Sequence, residues 1–172
     1  PQLIVPSIPN ADESIAYLRQ VMDIAPRAPT GRRLYVSRLD VHPDRRRIAD
    51  EERLAEALEM AGYEIIVPTE ISFDAQIEAF SQADVILGAH GAALTNLIYA
   101  DPSALVVEIT NSHNHHYDFF KEITDSLGIQ HLRYRGHTER ETIDAENAAA
   151  VIDPDQLISF IDARLQNSEA NS

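Results

Sequence analysis

The stretch 84–99, which reads DVILGAHGAALTNLIY, indicates the fold more clearly than any other part of the chain. Residues 84–87 form a short apolar run typical of a buried strand, residues 88–93 are small apart from one histidine, and residues 94–99 continue with helical character. A strand that passes through a short turn into a helix is the repeating unit of α/β proteins. The stretch therefore predicts a strand–turn–helix unit with its turn at His90.

The residues of this turn suit an anion. Small side chains let a ligand approach the backbone, and the first turn of the following helix presents unpaired N–H groups at the positive end of its dipole. His90 would touch whatever group a bound phosphate carries. The alternative is an ordinary turn between a strand and a helix, with His90 hydrogen-bonded to a backbone carbonyl. On the turn alone both interpretations stay open.

The arginines are concentrated in one region of an acidic chain. The net charge is −14 over 172 residues, yet seven of the fourteen basic residues lie within 27–47, where only Asp40 and Asp44 oppose them. A local cluster favours a small anionic ligand over nucleic acid, which requires a broad basic surface. Arginine suits phosphate because its guanidinium donates two parallel hydrogen bonds. We expect the anion to be bound by Arg38, Arg46 and Arg47. We expect salt bridges to be formed by Arg27, Arg32 and Arg33.

Apolar periodicity predicts alternating strands and helices. The predicted strands are 34–37, 63–67, 84–87, 105–109 and 129–134. The predicted helices begin near Asp12, Asp50, Ser72, His116 and Asp153. This alternation is typical of a doubly wound parallel sheet with helices on both faces, so we expect a Rossmann-like α/β fold. We divide the chain into an N-terminal linker and helix (1–31), a Rossmann-like domain (32–166) and a disordered tail (167–172).

Candidate site residues follow from the ends of the predicted strands. Ligands of parallel sheets bind beyond the carboxyl ends of the strands. Ser37 and Arg38 end the first strand, the 88–93 turn ends the third, and Glu108 lies near the end of the fourth. We therefore expect these separate parts of the chain on one edge of the sheet. Glu108 there would either bind a ribose hydroxyl or cap a helix.

Several function classes are disfavoured by what the sequence lacks. It has no cysteine, so disulfides and thiolate metal sites are excluded. No GxGxxG follows the first strand and no GxxxxGK[ST] occurs, which disfavours dinucleotide and P-loop chemistry. No apolar run has the length of a membrane span, and the first residues lack a signal-peptide pattern. We expect no cofactor, no nucleic-acid partner and no membrane span.

The remaining histidines do not predict a metal site. His113, His115, His116 and Asp118 lie close together, but their spacing matches no common zinc pattern. We expect them at the rim of the cleft, at the start of a helix, and we expect no bound metal. Three further histidines are interpreted as surface residues: His42, His131 and His137.

Five motifs together resemble a known family. They are YVSR at 35–38, RRIADE at 46–51, Ser72-Phe73 with Gln76, GAHGAALTN at 88–96, and VEI at 107–109. In this order and spacing, over roughly residues 32–135, they resemble the donor half of family 61 glycosyltransferases. These include bacterial capsular-polysaccharide enzymes and eukaryotic enzymes that add sugars to protein O-glycans or xylan. The chain departs from the family at Asp50, where asparagine is usual, and in a slightly long loop between Arg38 and Arg46.

The resemblance implies a specific architecture and reaction. It implies the C-terminal Rossmann-like half of a two-domain (GT-B) enzyme that takes sugar from a nucleotide-sugar donor to a hydroxyl of a glycan or polysaccharide, with inversion. An acceptor-side N-terminal domain is absent from these 172 residues, so we expect this chain alone to bind donor without transferring sugar. His90 is the candidate catalytic residue. The candidate substrate-binding residues are Ser37, Arg38, Arg46, Arg47, Gly88, His90, Gly91, Ala92, Ala93, Asn96 and Glu108.

Two alternatives of another class remain. One is a non-catalytic α/β domain that binds a nucleotide or phosphosugar for regulation, and the other is a structural interaction domain. The expected convergence of Arg38, Arg47 and His90 argues against the second. If the chain is bacterial, a cytoplasmic location is expected.

Overall fold

The computed structural model describes residues 11–25, 27–40, 48–111, 118–138 and 148–169. The helices are α1 (Ala11–Val21), α2 (Glu51–Met60), α3 (Phe73–Gln82), α4 (Phe119–Leu127) and α5 (Pro154–Glu169). The strands are β1 (Arg33–Val36), β2 (Tyr63–Ile66), β3 (Val85–Ala89), β4 (Leu105–Asn111), β5 (Gln130–Thr138) and β6 (Ala150–Val151). Two 3₁₀ helices span Pro68–Glu70 and Ala92–Tyr99.

The strands form one six-stranded sheet in the order β2-β1-β3-β4-β5-β6. The first five are parallel, as the alternation of strands and helices predicts. β6 was not predicted and runs antiparallel to β5. It has only two residues, too few for side-chain alternation to give a signal. The α/β prediction is confirmed with this one correction, and the fold is Rossmann-like.

Helices cover both faces of the sheet. Side chains of a strand alternate between its faces, so in β1 Leu34 and Val36 pack on one side and Tyr35 on the other. The first side is covered by α1, α3, α4 and the Ala92–Tyr99 helix, and the second by α2 and α5. The core therefore has two layers, and the loops at the sheet edges are where a ligand can enter.

Helical spacing predicts Phe73 and Phe119 as inward-facing residues of α3 and α4, but the structure leaves both largely exposed. Phe73 and Phe119 are each the first residue of a helix and remain 54% and 55% exposed. Phe73 contacts the ring of Tyr99 edge-on, and Phe119 contacts Phe120 in the same way. Helical spacing identifies the apolar face of a helix, but a residue at its first position has no preceding turn to cover it.

The N-terminal helix packs onto the same domain. Ile15 of α1 is buried in the first core layer, and Arg19 donates to the carbonyls of Ile98 and Ala100 at 2.9 and 2.7 Å. The division at residue 31 stays a prediction. α5 continues to Glu169, beyond the expected start of the tail. Among the described residues no helix has the length and apolarity to cross a membrane.

Candidate functional site

A cleft of about 510 Å³ opens at the carboxyl end of the sheet. β1 lies between β2 and β3, and the chain leaves β1 toward α2 on one face but leaves β3 toward the 3₁₀ helix on the other. Loops that diverge in this way create the crevice in which open α/β sheets bind ligands. The residues that line it are Ser37, Arg38, Asp40, Pro68, Thr69, Gln76, Ala92, Ala93 and Asn96.

A buried carboxylate fixes the loop that follows β1. Glu51 Oε1 accepts hydrogen bonds from the Tyr35 hydroxyl at 2.9 Å, the Ser37 hydroxyl at 3.0 Å and the Arg38 N–H at 2.7 Å. Burial and the adjacent Glu51 carboxylate raise the pKa of Tyr35 well above its usual value, so its hydroxyl stays protonated and donates. Three bonds to one oxygen hold the backbone at the point where Arg38 leaves the strand.

The residue before Glu51 explains the departure from the family motif. Asp50 has φ 53° and ψ 48°, a left-handed conformation, at the start of α2. Asparagine and aspartate are the side chains that tolerate this conformation best. Asp50 therefore meets the same backbone requirement as the asparagine that is usual at this position.

Arg38 lies directly on the turn after β3. Its guanidinium donates to the carbonyl of His90. A Cβ atom added at Gly91 would lie 1.7 Å from Arg38 Nη1 and 2.6 Å from Cζ, so only glycine leaves room for the guanidinium. The φ of Gly91, 173°, is extended and makes no such demand. Gly91 is therefore required by the approach of Arg38.

The 3₁₀ helix begins under this guanidinium. Its first hydrogen bond runs from Leu94 N–H to the Gly91 carbonyl at 2.9 Å. The N–H groups of Ala92 and Ala93 precede that bond, and both residues line the cleft. Backbone donors and a guanidinium thus meet in one cleft, which is an arrangement suited to a phosphate group.

His90 faces the interior. Its Nδ1 is hydrogen-bonded to Glu108, its ring contacts Phe120 edge-on with centroids 4.9 Å apart, and its N–H donates to the Ile109 carbonyl at 2.9 Å. Its side chain is 10% exposed. The contact of His90 with the cleft is therefore made by its carbonyl, through Arg38.

Glu108 is completely buried and holds three side chains. Besides His90, it accepts from His131 Nε2 at 3.1 Å and from Arg133 Nε at 3.0 Å. Burial raises the pKa of Glu108, but the hydrogen bonds from His131, His90 and Arg133 outweigh it and lower the pKa to about 2. The carboxylate is therefore ionised and acts only as an acceptor. It follows that His90 Nδ1 carries a proton.

The hydrogen-bond network of Glu108 extends to the surface, and it shows that the surface position predicted for His131 is wrong. His131, expected at the surface, has a side chain only 3% exposed, and its Nδ1 lies 2.9 Å from the Thr124 hydroxyl. Arg133 also binds Asp118 at 2.8 Å. His131 and Arg133 are two residues apart on β5, so their side chains lie on the same face of the sheet. Glu108 on β4 pairs with Arg133 and lies on that face too. An isolated histidine in a strand gives no sign of this partner.

Two neutral amides form another part of the cleft lining. Asn96 Nδ2 donates to Gln76 Oε1 at 2.8 Å, and Gln76 Nε2 donates to the Pro68 carbonyl at 2.8 Å. Nearby, the Thr69 hydroxyl donates to Asp40 Oδ2 at 2.5 Å. The cleft lining therefore contains an arginine as well as several hydrogen-bond acceptors.

The structure brings together most of the predicted site residues. Ser37, Arg38, Ala92, Ala93 and Asn96 line the cleft. Gly88, His90, Gly91 and Glu108 lie behind it: Gly88 is inside β3, paired with Val36, and Glu108 is inside β4. Glu108 is thus positioned to hold His90 and not at the cleft surface. Arg46, Arg47, His42, His113, His115 and His116 lie outside the described residues.

Two further residues were not recognised from the sequence. Glu51 shares the spacing of Leu54 and Leu58, the buried stripe of α2, and a carboxylate on such a stripe is a usable signal for a buried polar contact. Gln76 belongs to one of the quoted motifs, but its partners Asn96 and Pro68 come from distant parts of the chain.

The arginines expected in salt bridges behave as predicted. Arg27 binds Asp84 at 2.8 Å, Arg32 binds Glu64 at 2.7 Å and Arg33 binds Asp162 at 3.0 Å. Arg33 and Asp162 line a second cleft, of about 690 Å³, at the amino end of the sheet. It is larger, but its arginine is already bound to a carboxylate of the protein.

A mostly parallel sheet with a cleft at the carboxyl ends of β1 and β3 defines the class of open, Rossmann-like α/β domains. The family model described as Glycosyltransferase 61 matches residues 2–107, more than half of the chain. The chain therefore belongs to the glycosyltransferase 61 family, and the resemblance of its motifs is confirmed. The match includes α1 and ends one residue before Glu108. A search of curated proteins finds no match.

Proposed function

We propose that this chain is the donor-binding half of a two-domain, GT-B glycosyltransferase, and that its cleft holds the diphosphate of a nucleotide sugar. The observation that carries the proposal is the meeting of the Arg38 guanidinium with the N–H groups of Ala92 and Ala93 in one cleft. A guanidinium and oriented backbone donors are the groups that bind phosphate oxygens best. Membership of a glycosyltransferase family supplies the reaction class.

The proposed roles differ between the cleft and its support. Arg38 and the two N–H groups bind the diphosphate, with Arg46 and Arg47 added from the sequence. Ser37 and Asn96 complete the lining. Gly91 gives Arg38 its space, and Gly88, His90 and Glu108 hold the turn in place. A direct role of His90 in the chemistry stays a prediction, since its ring is turned toward Glu108.

The proposed reaction is transfer with inversion. An acceptor hydroxyl of a glycan or polysaccharide attacks the anomeric carbon while the bond from that carbon to the phosphate oxygen breaks. The nucleoside diphosphate leaves with the bonding electrons, and a base takes the hydroxyl proton. Arg38 and the backbone donors stabilise the charge that develops on the leaving group. In this proposal an N-terminal domain holds the acceptor, so this chain alone binds donor without transferring sugar.

Calorimetric titration with UDP and GDP tests the site. We expect at least one of them to bind the wild-type chain. Arg38→Ala is expected to weaken that binding by about 1.5–3 kcal/mol, the contribution of hydrogen bonds to charged groups. Arg47→Ala is expected to act in the same direction.

Arg164→Ala is the matched control, because Arg164 lies on α5 above the ring of Phe160, at 5.4 Å from its centroid. It is expected to bind as the wild type does. Equal affinity of Arg38→Ala and the wild type would reject the site, and no binding of either nucleotide would reject the function as a donor-binding domain.

A further inference from the structure

The part of the cleft formed by Gln76 and Asn96 has a definite hydrogen-bond polarity. Gln76 Nε2 lies 2.8 Å from the Pro68 carbonyl and 3.5 Å from the Ile71 carbonyl. Carbonyl oxygens only accept hydrogen bonds, so the NH₂ group of Gln76 must point to them. Its Oε1 then points to Asn96. This orientation is determined by two backbone groups that cannot change their role.

The orientation of Gln76 determines that of Asn96. Gln76 Oε1 can only accept, so the atom of Asn96 that lies 2.8 Å away is its NH₂ group. The other amide atom of Asn96, Oδ1, accepts no hydrogen bond from the described part of the chain. Because Asn96 lines the cleft, it presents a carbonyl-type acceptor there. A phosphate oxygen, which also only accepts, does not suit this position.

The position of Asn96 relative to the backbone donors is set by the 3₁₀ helix. Residues three apart on such a helix are eclipsed, and each residue rises about 2 Å, so Asn96 lies on the same side as Ala93, roughly 6 Å further along. That distance is about the width of a sugar ring. Asp40 contributes a second acceptor to the cleft lining, with its Oδ2 held by the Thr69 hydroxyl at 2.5 Å.

We propose that Asn96 accepts a hydrogen bond from a hydroxyl group of a sugar attached to the bound diphosphate, and that Gln76 is the positioning residue that holds Asn96 in its accepting orientation. The inference rests on the function proposed above and assigns the part of the cleft at Asn96 to sugar. The hydroxyl belongs either to the ribose or to the transferred sugar, and these share the same chemistry. The cleft thus separates phosphate recognition at Arg38 from hydroxyl recognition at Asn96.

The experiment compares a phosphate-only probe with probes that carry sugars. The probes are inorganic pyrophosphate, UDP and UDP-glucose, with GDP and GDP-mannose in parallel, titrated into the wild-type chain and its variants by calorimetry. Asn96→Ala removes the acceptor, and Gln76→Leu removes the group that orients it. Gln130→Ala is the control, because Gln130 is an exposed amide at the opposite edge of the sheet.

We expect Asn96→Ala to weaken the sugar-bearing probe roughly five- to tenfold, the loss of about one hydrogen bond, and to change pyrophosphate binding less than about twofold. Gln76→Leu is expected to have the same selectivity with a smaller loss, about two- to fivefold, because Asn96 can then rotate. A loss already present with UDP or GDP assigns the hydroxyl to ribose. A loss that appears only with UDP-glucose or GDP-mannose assigns it to the transferred sugar.

Two results would overturn the inference. Equal weakening of pyrophosphate and the sugar-bearing probe would place Asn96 at the phosphate, and unchanged binding of every sugar-bearing probe by Asn96→Ala would remove it from recognition. Either result leaves the proposed function intact as long as Arg38→Ala still weakens binding. Absence of binding to the wild-type chain by all five probes would instead reject the proposed function.

Discussion

The two ends of β1 each carry an arginine, and the two arginines have different partners. At the amino end Arg33 binds the Asp162 carboxylate at 3.0 Å and lies over the Tyr63 ring, 5.7 Å from its centroid. Just past the carboxyl end, Arg38 donates to the carbonyl of His90 and covers Gly91. An anion at the amino end would have to displace an existing ion pair, although the cleft there is the larger of the two.

The backbone reinforces this difference. In a parallel α/β sheet the helices begin at the carboxyl end of the strands, where their N–H groups and positive dipole ends lie, and they finish at the amino end with exposed carbonyls. The start of the Ala92–Tyr99 helix is part of the carboxyl-end cleft. We therefore assign the proposed phosphate site to the carboxyl-end cleft from the direction of the backbone, although the amino-end cleft is larger.

The largest expected difference is in the free energy of unfolding, between a variant of Glu108, near the carboxyl end of the sheet, and a variant of Asp162, at its amino end. Glu108→Gln leaves His131, Arg133 and His90 without a buried anion, and breaking a buried ion pair costs about 3–5 kcal/mol. Asp162→Asn breaks a pair whose carboxylate is 41% exposed, and we expect less than about 1 kcal/mol. Urea unfolding of both variants at neutral pH measures the two free energies. Equal losses would contradict the distinction between the two ends.

The pH dependence of stability sharpens the same comparison. Glu108 has a pKa of about 2 in the folded chain, below its ordinary value of 4.5. The unfolded chain therefore takes up a proton first as the pH falls, so the stabilisation is complete above pH 4.5 and is lost as the pH falls to about 2. The expected loss is about 3 kcal/mol.

Unfolding measured at a series of pH values from about 6 to about 2.5 checks this. Glu108→Gln is expected to show a smaller decrease over that interval, because the group that titrates has been removed. An identical decrease in the wild type and the variant would show that other carboxylates cause it.

The smallest expected effects are those of two glycine substitutions, one at each end of the sheet, of which one changes binding and the other stability. Gly91→Ala forces Arg38 aside, and we expect roughly tenfold weaker binding of the nucleoside diphosphate, the loss of about one hydrogen bond to a charged group. Stability should change little, because the atoms displaced belong to a flexible side chain. Gly31→Ala should do the reverse. Its φ is +79° with nothing within 4 Å of an added Cβ, so it costs about 1–2 kcal/mol of backbone strain and leaves binding unchanged.

Calorimetry measures the change in ligand affinity, and thermal unfolding the change in stability, for each of the two glycine variants. The comparison fails if Gly91→Ala and Gly31→Ala change binding equally, because the approach of Arg38 to Gly91 would then have no consequence for the ligand.

Much of the fold was predictable because its signals are local. The five parallel strands, the Ser72 N-cap of α3, whose hydroxyl accepts from Ala75 N–H at 3.2 Å, and the turn at His90 all follow from residues near one another in sequence. β6 was missed because two residues carry no periodicity, and Phe73 was misplaced because its spacing does not report where the helix begins relative to the core.

The cleft was predictable in outline and not in its contacts. The rule that ligands bind beyond the carboxyl ends of parallel strands was enough to bring Ser37, Arg38 and the 88–93 turn to one edge. It did not show that Glu51 would hold the loop after β1, or that His131 would be buried. Both contacts depend on how distant elements pack, which no local pattern encodes.

The sequence by itself determined the α/β alternation, the glycosyltransferase 61 motifs and the concentration of arginines, because each depends on the order and spacing of neighbouring residues. Only the tertiary structure decided which carboxylate each of Arg27, Arg32 and Arg33 meets, that Glu108 supports His90 from inside the sheet, and that Asn96 presents an acceptor to the cleft. These depend on strand register and helix packing. Glu108 pairs with Arg133 in the β4–β5 register, and a shift of one residue would turn one of the two side chains to the opposite face of the sheet.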